Sequence, residues 1–156
     1  MDAEIRRARE GDISGMVELE RSSMEPVRED SGVESDWKNI EDFLEKRIED
    51  DLVLVAETGE GLLGYVHAVL YDDVVSGKKV CEVYTLTIHP EHFGEGLGGE
   101  LMERVKEESR RSGVDILKLE VLSKNKDAIG FYEKKGFSEK KKIMVQRLDE
   151  EKKNNL

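Results

Sequence analysis

Apolar positions along this chain follow two rhythms, one of period two and one of period 3.6, and the switches between them divide it into elements. Ile5 to Ala8 predicts a short first strand, after which Gly11-Asp12 supplies a turn and an N-cap. The helix that follows carries Ile13, Met16, Val17 and Leu19 to Glu20 at helical spacing, and Pro26, Ser31 and Gly32 then predict a loop. Trp37, Ile40, Phe43, Leu44 and Ile48 recur at i, i+3, i+4, so Ser35 to Ile48 is predicted as a second amphipathic helix. Leu52 to Glu57, the turn Thr58-Gly59-Glu60-Gly61, and Leu62 to Tyr71 predict a β-hairpin. Asp72 to Lys78 turns the chain again, and Lys79 to Ile88 supplies a fourth strand of the same antiparallel meander.

The pattern then changes. After a glycine-rich turn, Leu97, Leu101, Met102 and Val105 predict a helix to about Ser112, ended by Gly113. Val114 to Leu122 is a fifth strand, parallel to the fourth because a helix crosses between them. Ala128, Ile129, Phe131 and Tyr132 begin a last helix that stops at Gly136, and Phe137 to Leu148 is predicted as terminal β structure. Residues 149–156 offer no apolar anchor and are expected to fray. The fold class is therefore α/β in the α+β sense: a mixed, mostly antiparallel sheet with one parallel, splayed central strand pair and flanking helices. Residues 1–148 make a single domain.

Composition narrows the function. The 156 residues are 37% apolar and 39% charged, enough for one core and a very charged surface. The formal net charge of −11 argues against a nucleic-acid partner and favours cationic ones. The longest nearly apolar run, Leu62 to Tyr71, is far short of a membrane span. The acidic start Met1-Asp2-Ala3-Glu4 is unlike a signal peptide, so a cytoplasmic protein is expected. The single cysteine, Cys81, forms no internal disulfide and cannot hold a metal alone; it is expected to be a buried thiol.

The chemistry concentrates in Gly94-Glu95-Gly96-Leu97-Gly98-Gly99, between a strand ending at Ile88 and a helix beginning near Leu97. Glycines admit positive φ and close backbone approach, and a helix N-terminus adds about half a positive charge, so the arrangement predicts a phosphorylated ligand. Gly94, Gly96 and Gly99 also spell G-x-G-x-x-G, the dinucleotide fingerprint, with Asp115 or Glu120 at the ribose position. Against that reading, His89 to Phe93 intervene where such a turn follows its strand at once. A glycine turn holding no ligand is a third reading.

Two stretches together carry a resemblance. Phe93-Gly94-Glu95-Gly96-Leu97-Gly98 is similar to the phosphate loop Arg/Gln-x-x-Gly-x-Gly/Ala, and Asn125-x-x-Ala128-x-x-Phe131-Tyr132-x-x-x-Gly136-Phe137 matches a second signature at every position. Both belong to the GNAT superfamily of N-acetyltransferases, and the resemblance extends from Ile5 to Leu148. It implies acetyl-CoA as co-substrate and no metal. The amides of Gly94, Glu95, Gly96, Leu97, Gly98 and Gly99 would hold the pyrophosphate, and Leu86, Thr87 and Ile88 would pair with the pantetheine arm as a mimic strand. Asn125 would add its amide, and Tyr132 would stand near the thioester sulfur. Phe93 departs from the pattern at the Arg/Gln position, leaving His92 or Lys124 as candidates to supply charge.

No Cys or Ser sits in a nucleophile context, so direct transfer in a ternary complex is expected, and the resemblance implies Glu82 or Glu120 as base, Glu82 being the stronger candidate. Tyr132 would protonate or hydrogen-bond the leaving thiolate, and a backbone N–H near Ile88 would polarise the carbonyl. The acceptor is expected to be a small cationic amine or a protein N-terminus or lysine, drawn by the acidic segment Glu25 to Asp36. The alternative is a non-catalytic acyl-CoA-binding regulatory module. Terminal strands that pair between subunits would make a homodimer, and neither nucleic acid nor membrane is an expected partner.

Overall fold

Five strands form one sheet in the order β1-β2-β3-β4-β5, and the computed structural model describes residues 2–149. β1 (Glu4–Arg7), β2 (Leu52–Thr58), β3 (Gly61–Asp72) and β4 (Lys79–Ile88) are antiparallel to their neighbours, whereas β5 (Ile116–Leu119) is parallel to β4. A tight turn can only reverse a strand. The parallel pair exists because α4 (Leu97–Arg111) carries the chain back along the sheet before β5 begins.

Strand alternation sorts the core into two layers. On one face α1 (Ile13–Ser23) and α3 (Trp37–Arg47) bury Met16, Leu19 and Leu44 against Val53, Val55 and Tyr65. On the other, α4 buries Leu97, Leu101, Met102 and Val105 against Leu54, Val66, Ala68, Cys81 and Val83. Each such side chain stabilises the fold by about 1.5–3 kcal/mol. The start of α4 is thereby held firmly against the sheet. Phe131 of α5 (Lys126–Lys134) packs onto the same layer.

One irregularity positions the site. Across β3 and β4, His67 faces Thr85 but Ala68 faces Val83, so Tyr84 has no partner and the strand bulges there. The β4–β5 pairing ends at Val83 and Leu119, the same level. Beyond it, Leu86 to Ile88 keep β3 on one side and have an open gap on the other.

Three elements differ from expectation. The expected loop around Pro26 contains a short helix, α2 (Glu25–Asp30), because Pro26 sits in the first turn, where its missing N–H is harmless. β5 is shorter than the run from Val114 to Leu122. Phe137 to Leu148 forms no strand. Ser138 to Lys142 are polar in a row, so there is no alternating face to bury, and Ile143, Met144, Val145 and Leu148 stay exposed. Its charges lie within electrostatic range of others, Lys141 of Asp73 and Arg147 of Glu34. The tail expected over 149–156 lies, apart from Asp149, outside the described residues. Among those described, no helix is long and apolar enough to cross a membrane.

Candidate active site

The glycine turn joins β4 to α4. Gly94 and Gly96 take φ values of 80° and 86°, a region that strains any residue with a Cβ, and Gly96 is the N-cap of α4. The first helical backbone bond runs from the Glu100 N–H to the Gly96 carbonyl at 3.1 Å. The amides of Leu97, Gly98 and Gly99 therefore have no acceptor within the helix and form a positive end. Gly98 packs beside Phe131, whose Cζ would stand 3.5 Å from an added Cβ, so α5 lies against the opening of α4. Phe93 is 60% exposed and does not plug the turn. His92 Nδ1 lies 2.7 Å from Glu95 Oε2, and Lys124 Nζ donates to the Asp30 carbonyl at 3.1 Å. Both side chains suggested by the sequence thus have partners.

Backbone parity fixes which groups face the gap. The His89 N–H donates to the Leu63 carbonyl at 2.8 Å, so residues 87 and 89 turn their main-chain groups toward β3, and residues 86 and 88 turn theirs toward the opening. The amides of Leu86 and Ile88 face the gap, while the Ile88 carbonyl accepts from Ser23 Oγ at 2.8 Å. Thr87 directs its backbone to β3 and its hydroxyl away from the opening.

On the far side of the gap, the Ala128 N–H donates to Asn125 Oδ1 at 3.2 Å, capping α5 and leaving the amide NH2 of Asn125 available. A cavity of about 330 Å³ lies between α2 and the start of α5, lined by Pro26, Val27, Asp30 and residues 124–127. Tyr132 packs edge-on against Phe131 and Phe137, and burial pushes its hydroxyl above the ordinary tyrosine range. Glu120 follows Leu119 at the point where the strands part and is exposed. Glu82 lies lower, opposite Lys118 in the paired region. It accepts from Tyr71 Oη at 2.8 Å and has Lys118 Nζ at 3.8 Å. Cys81 is fully buried, which raises its thiol pKa.

A polar cluster under the gap escaped the sequence reading. The Glu20 side chain is 2% exposed. Its Oε1 accepts from Tyr65 Oη at 2.6 Å, Thr87 Oγ1 at 2.9 Å and Thr85 Oγ1 at 3.1 Å, and its Oε2 accepts from Arg28 Nη2 at 2.5 Å. Burial, then the adjacent carboxylate, push the Tyr65 hydroxyl well up. The cluster ties α1 and α2 to the stretch of β4 that borders the opening. Its one sequence signal is the i, i+4 step from buried Met16, which places a carboxylate on the apolar stripe of α1.

These features define a class: a glycine turn at a helix start, with amides unclaimed within the helix, at the end of a parting strand pair, and two further amides on the side of β4 beyond its pairing with β5. The residues fit acetyl-CoA, since nothing lies within 4 Å of a Cβ built on Gly94 or Gly96 and the backbone there is open to a large anionic ligand. Residues 13–137 match the model of the Acetyltransferase (GNAT) family, and the chain belongs to that family. It is 31% identical over 131 residues to an uncharacterized N-acetyltransferase of Archaeoglobus fulgidus, covering 83% of this chain and 88% of the relative. It is 30% identical over 112 residues to one of Methanocaldococcus jannaschii, covering 68% of this chain and 49% of that protein, so it spans about half of that relative's length. The fold resembles a Trypanosoma brucei acetyltransferase with a TM-score of 0.71 at 22% identity, covering 94% of this chain and all (100%) of the other. Among the described residues no group of three or more His, Cys, Asp or Glu side chains could hold a metal ion.

Proposed function

We propose that this protein transfers the acetyl group of acetyl-CoA directly to a primary amine, on a small cation or on a protein N-terminus or lysine. The observation that carries this reading is the pair of Leu86 and Ile88 amides facing a gap that ends at the positive start of α4. An extended arm lying in that gap as a sixth strand would reach both, with its phosphates on the turn. The coenzyme supplies an activated acyl carbon on a thiol leaving group.

The chain has to deprotonate the amine, hold the carbonyl oxygen as it becomes anionic, and receive the thiolate. At pH 7 a lysine-like amine of pKa about 10.4 costs roughly 4–5 kcal/mol to deprotonate, whereas an α-amine costs about 1 kcal/mol. Glu120 suits the base: it stands at the parting of the strands and has no hydrogen-bond partner among the described residues. Glu82 is engaged by Tyr71 and Lys118 below the gap and suits acceptor orientation or long-range field better. The amine lone pair attacks the carbonyl carbon, its proton passes to Glu120 directly or through water, and the oxygen accepts from a gap-facing amide, Ile88 being the candidate. The C–S bond then breaks and the sulfur receives a hydrogen bond or proton from Tyr132. The raised pKa of that hydroxyl keeps it protonated near neutrality, so hydrogen bonding to the developing thiolate is its larger role.

Cys81 is inaccessible and stays a thiol, which supports direct transfer. A reducing, cytoplasmic setting suits it. The net charge of −11 supports a cationic acceptor. The test is calorimetric titration with acetyl-CoA alongside thiol release with polyamines, N-terminal peptides and lysine peptides. Binding with amine-dependent thiol release is expected. Tight binding without it would support the regulatory acyl-CoA-binding module, and an acetylated Cys81 in intact mass spectra would overturn direct transfer.

A further inference from the structure

We propose that Lys135 provides the positive charge that grips the diphosphate of the coenzyme at the glycine turn, in place of the basic or amide side chain missing at Phe93. This rests on the acetyl-CoA reading above and identifies how this particular chain satisfies it.

Lys135 is the C-cap of α5. Its N–H bonds to the Tyr132 and Phe131 carbonyls at 3.0 and 3.2 Å, and Gly136 turns the chain away behind it with φ 97°, so its backbone is fixed. The side chain runs back along α5 toward the start of α4, with Nζ 5.7 Å from the centre of the Phe131 ring. It ends 3.0 Å from the point where a Cβ on Gly99 would stand. Gly96, Gly99 and Lys135 line one side of a cavity of about 600 Å³ beside the turn.

Two observations show that this juxtaposition is built for an anion. Among the described residues the Lys135 ammonium has no hydrogen bond or ion pair within 4 Å. It nonetheless lies against the unpaired amides that form the positive end of α4. Two like poles held together are unfavourable until a negative group sits between them. The second observation is Gly99 itself. Its φ is not positive, and a glycine inside a helix is about 1 kcal/mol worse than alanine. Apart from its chain neighbours and the backbone of its own helix, the atoms within 4 Å of an added methyl are Nζ and Cε of Lys135, so the glycine leaves room for the ammonium.

Other charges near the turn reinforce the need. Glu95 is paired with His92, Lys124 is bound to Asp30, and Glu100, Glu103 and Glu107 line the same cavity and repel a diphosphate. Arg104 lines this cavity too, but it is engaged, donating to the Ile5 carbonyl at 3.3 Å.

The test is titration calorimetry with coenzyme A and with dephospho-coenzyme A on the wild type, Lys135→Met, Lys135→Arg, Gly99→Ala and the exposed control Lys134→Met, with thermal melts of each. Lys135→Met is expected to weaken both ligands by about tenfold and flatten the salt dependence of binding, with Lys135→Arg partly restoring affinity. Gly99→Ala should bind several-fold more weakly although its melting temperature holds or rises, and Lys134→Met should match the wild type. Equal affinity of Lys135→Met and wild type overturns the proposal. So does a loss seen with coenzyme A but not with dephospho-coenzyme A, since the charge would then read the ribose phosphate. A wild type that binds neither ligand overturns the coenzyme reading itself.

Discussion

Replacing Glu20 with glutamine should destabilise the protein far more than an isosteric, same-helix change would suggest. The carboxylate takes three hydroxyl donors on one oxygen and the Arg28 guanidinium on the other, with 2% of its side chain exposed. An amide has one acceptor oxygen. Turned toward Tyr65, Thr85 and Thr87, it sets its NH2 against Arg28; turned the other way, it leaves three hydroxyls facing donors. A hydrogen bond to a charged group is worth about 1.5–3 kcal/mol and a neutral one about 0.5–1.5 kcal/mol. The four donors share one buried carboxylate and their losses do not add, so the whole is set at roughly 3–4 kcal/mol by the range for breaking a buried ion pair. For a chain of this size that lowers Tm by about 6–16 °C. Arg28→Ala should cost less, about 1–2 kcal/mol, because Arg28 is 21% exposed and water can take its place. Urea unfolding with matched m-values measures both. A Glu20→Gln loss below about 1 kcal/mol would refute the claim that the cluster anchors α1 to β4.

Asn125→Asp keeps an oxygen for the Ala128 amide but removes the NH2 proposed to hold the coenzyme arm, so stability should hold within about 0.5 kcal/mol while coenzyme A binds several-fold more weakly. Unchanged affinity would restrict Asn125 to capping. Tyr132→Phe should lower kcat by about a hundredfold with little change in coenzyme binding, and a fully active variant would remove the hydroxyl from the chemistry. Burial lowers the pKa of His67, against an opposing hydrogen bond to Asp51 at 2.7 Å. The unfolded chain thus binds more protons just below pH 6.5. Stability should be full above about pH 6.5 and decline as the pH falls toward the folded-state value, and His67→Gln should lack that slope in pH-dependent melts.

Period and punctuation made much of the protein legible from its residues. The hairpin over Leu52 to Tyr71, the strand Lys79 to Ile88 and the helix from Leu97 coincide closely with β2, β3, β4 and α4, because alternation, turn glycines and helix stops act between residues a few positions apart. The glycine turn is local for the same reason. α2 was hidden because Pro26 reads as a breaker unless its place in the first turn is known, and the segment after Phe137 was misread because β-prone residues do not pair without a face to bury.

What only the folded chain decided are the meetings between distant residues. Glu20 finds Tyr65, Thr85 and Thr87 across 45 to 67 positions, which no window of sequence can contain. The bulge at Tyr84, the level at which β4 and β5 part, and the approach of Lys135 to Gly99 are set by how two core layers pack on a twisted sheet. Residue order alone could name the glycine turn. Only packing could bring Lys135 beside it and separate Glu120, exposed where the strands part, from Glu82, which Tyr71 and Lys118 engage.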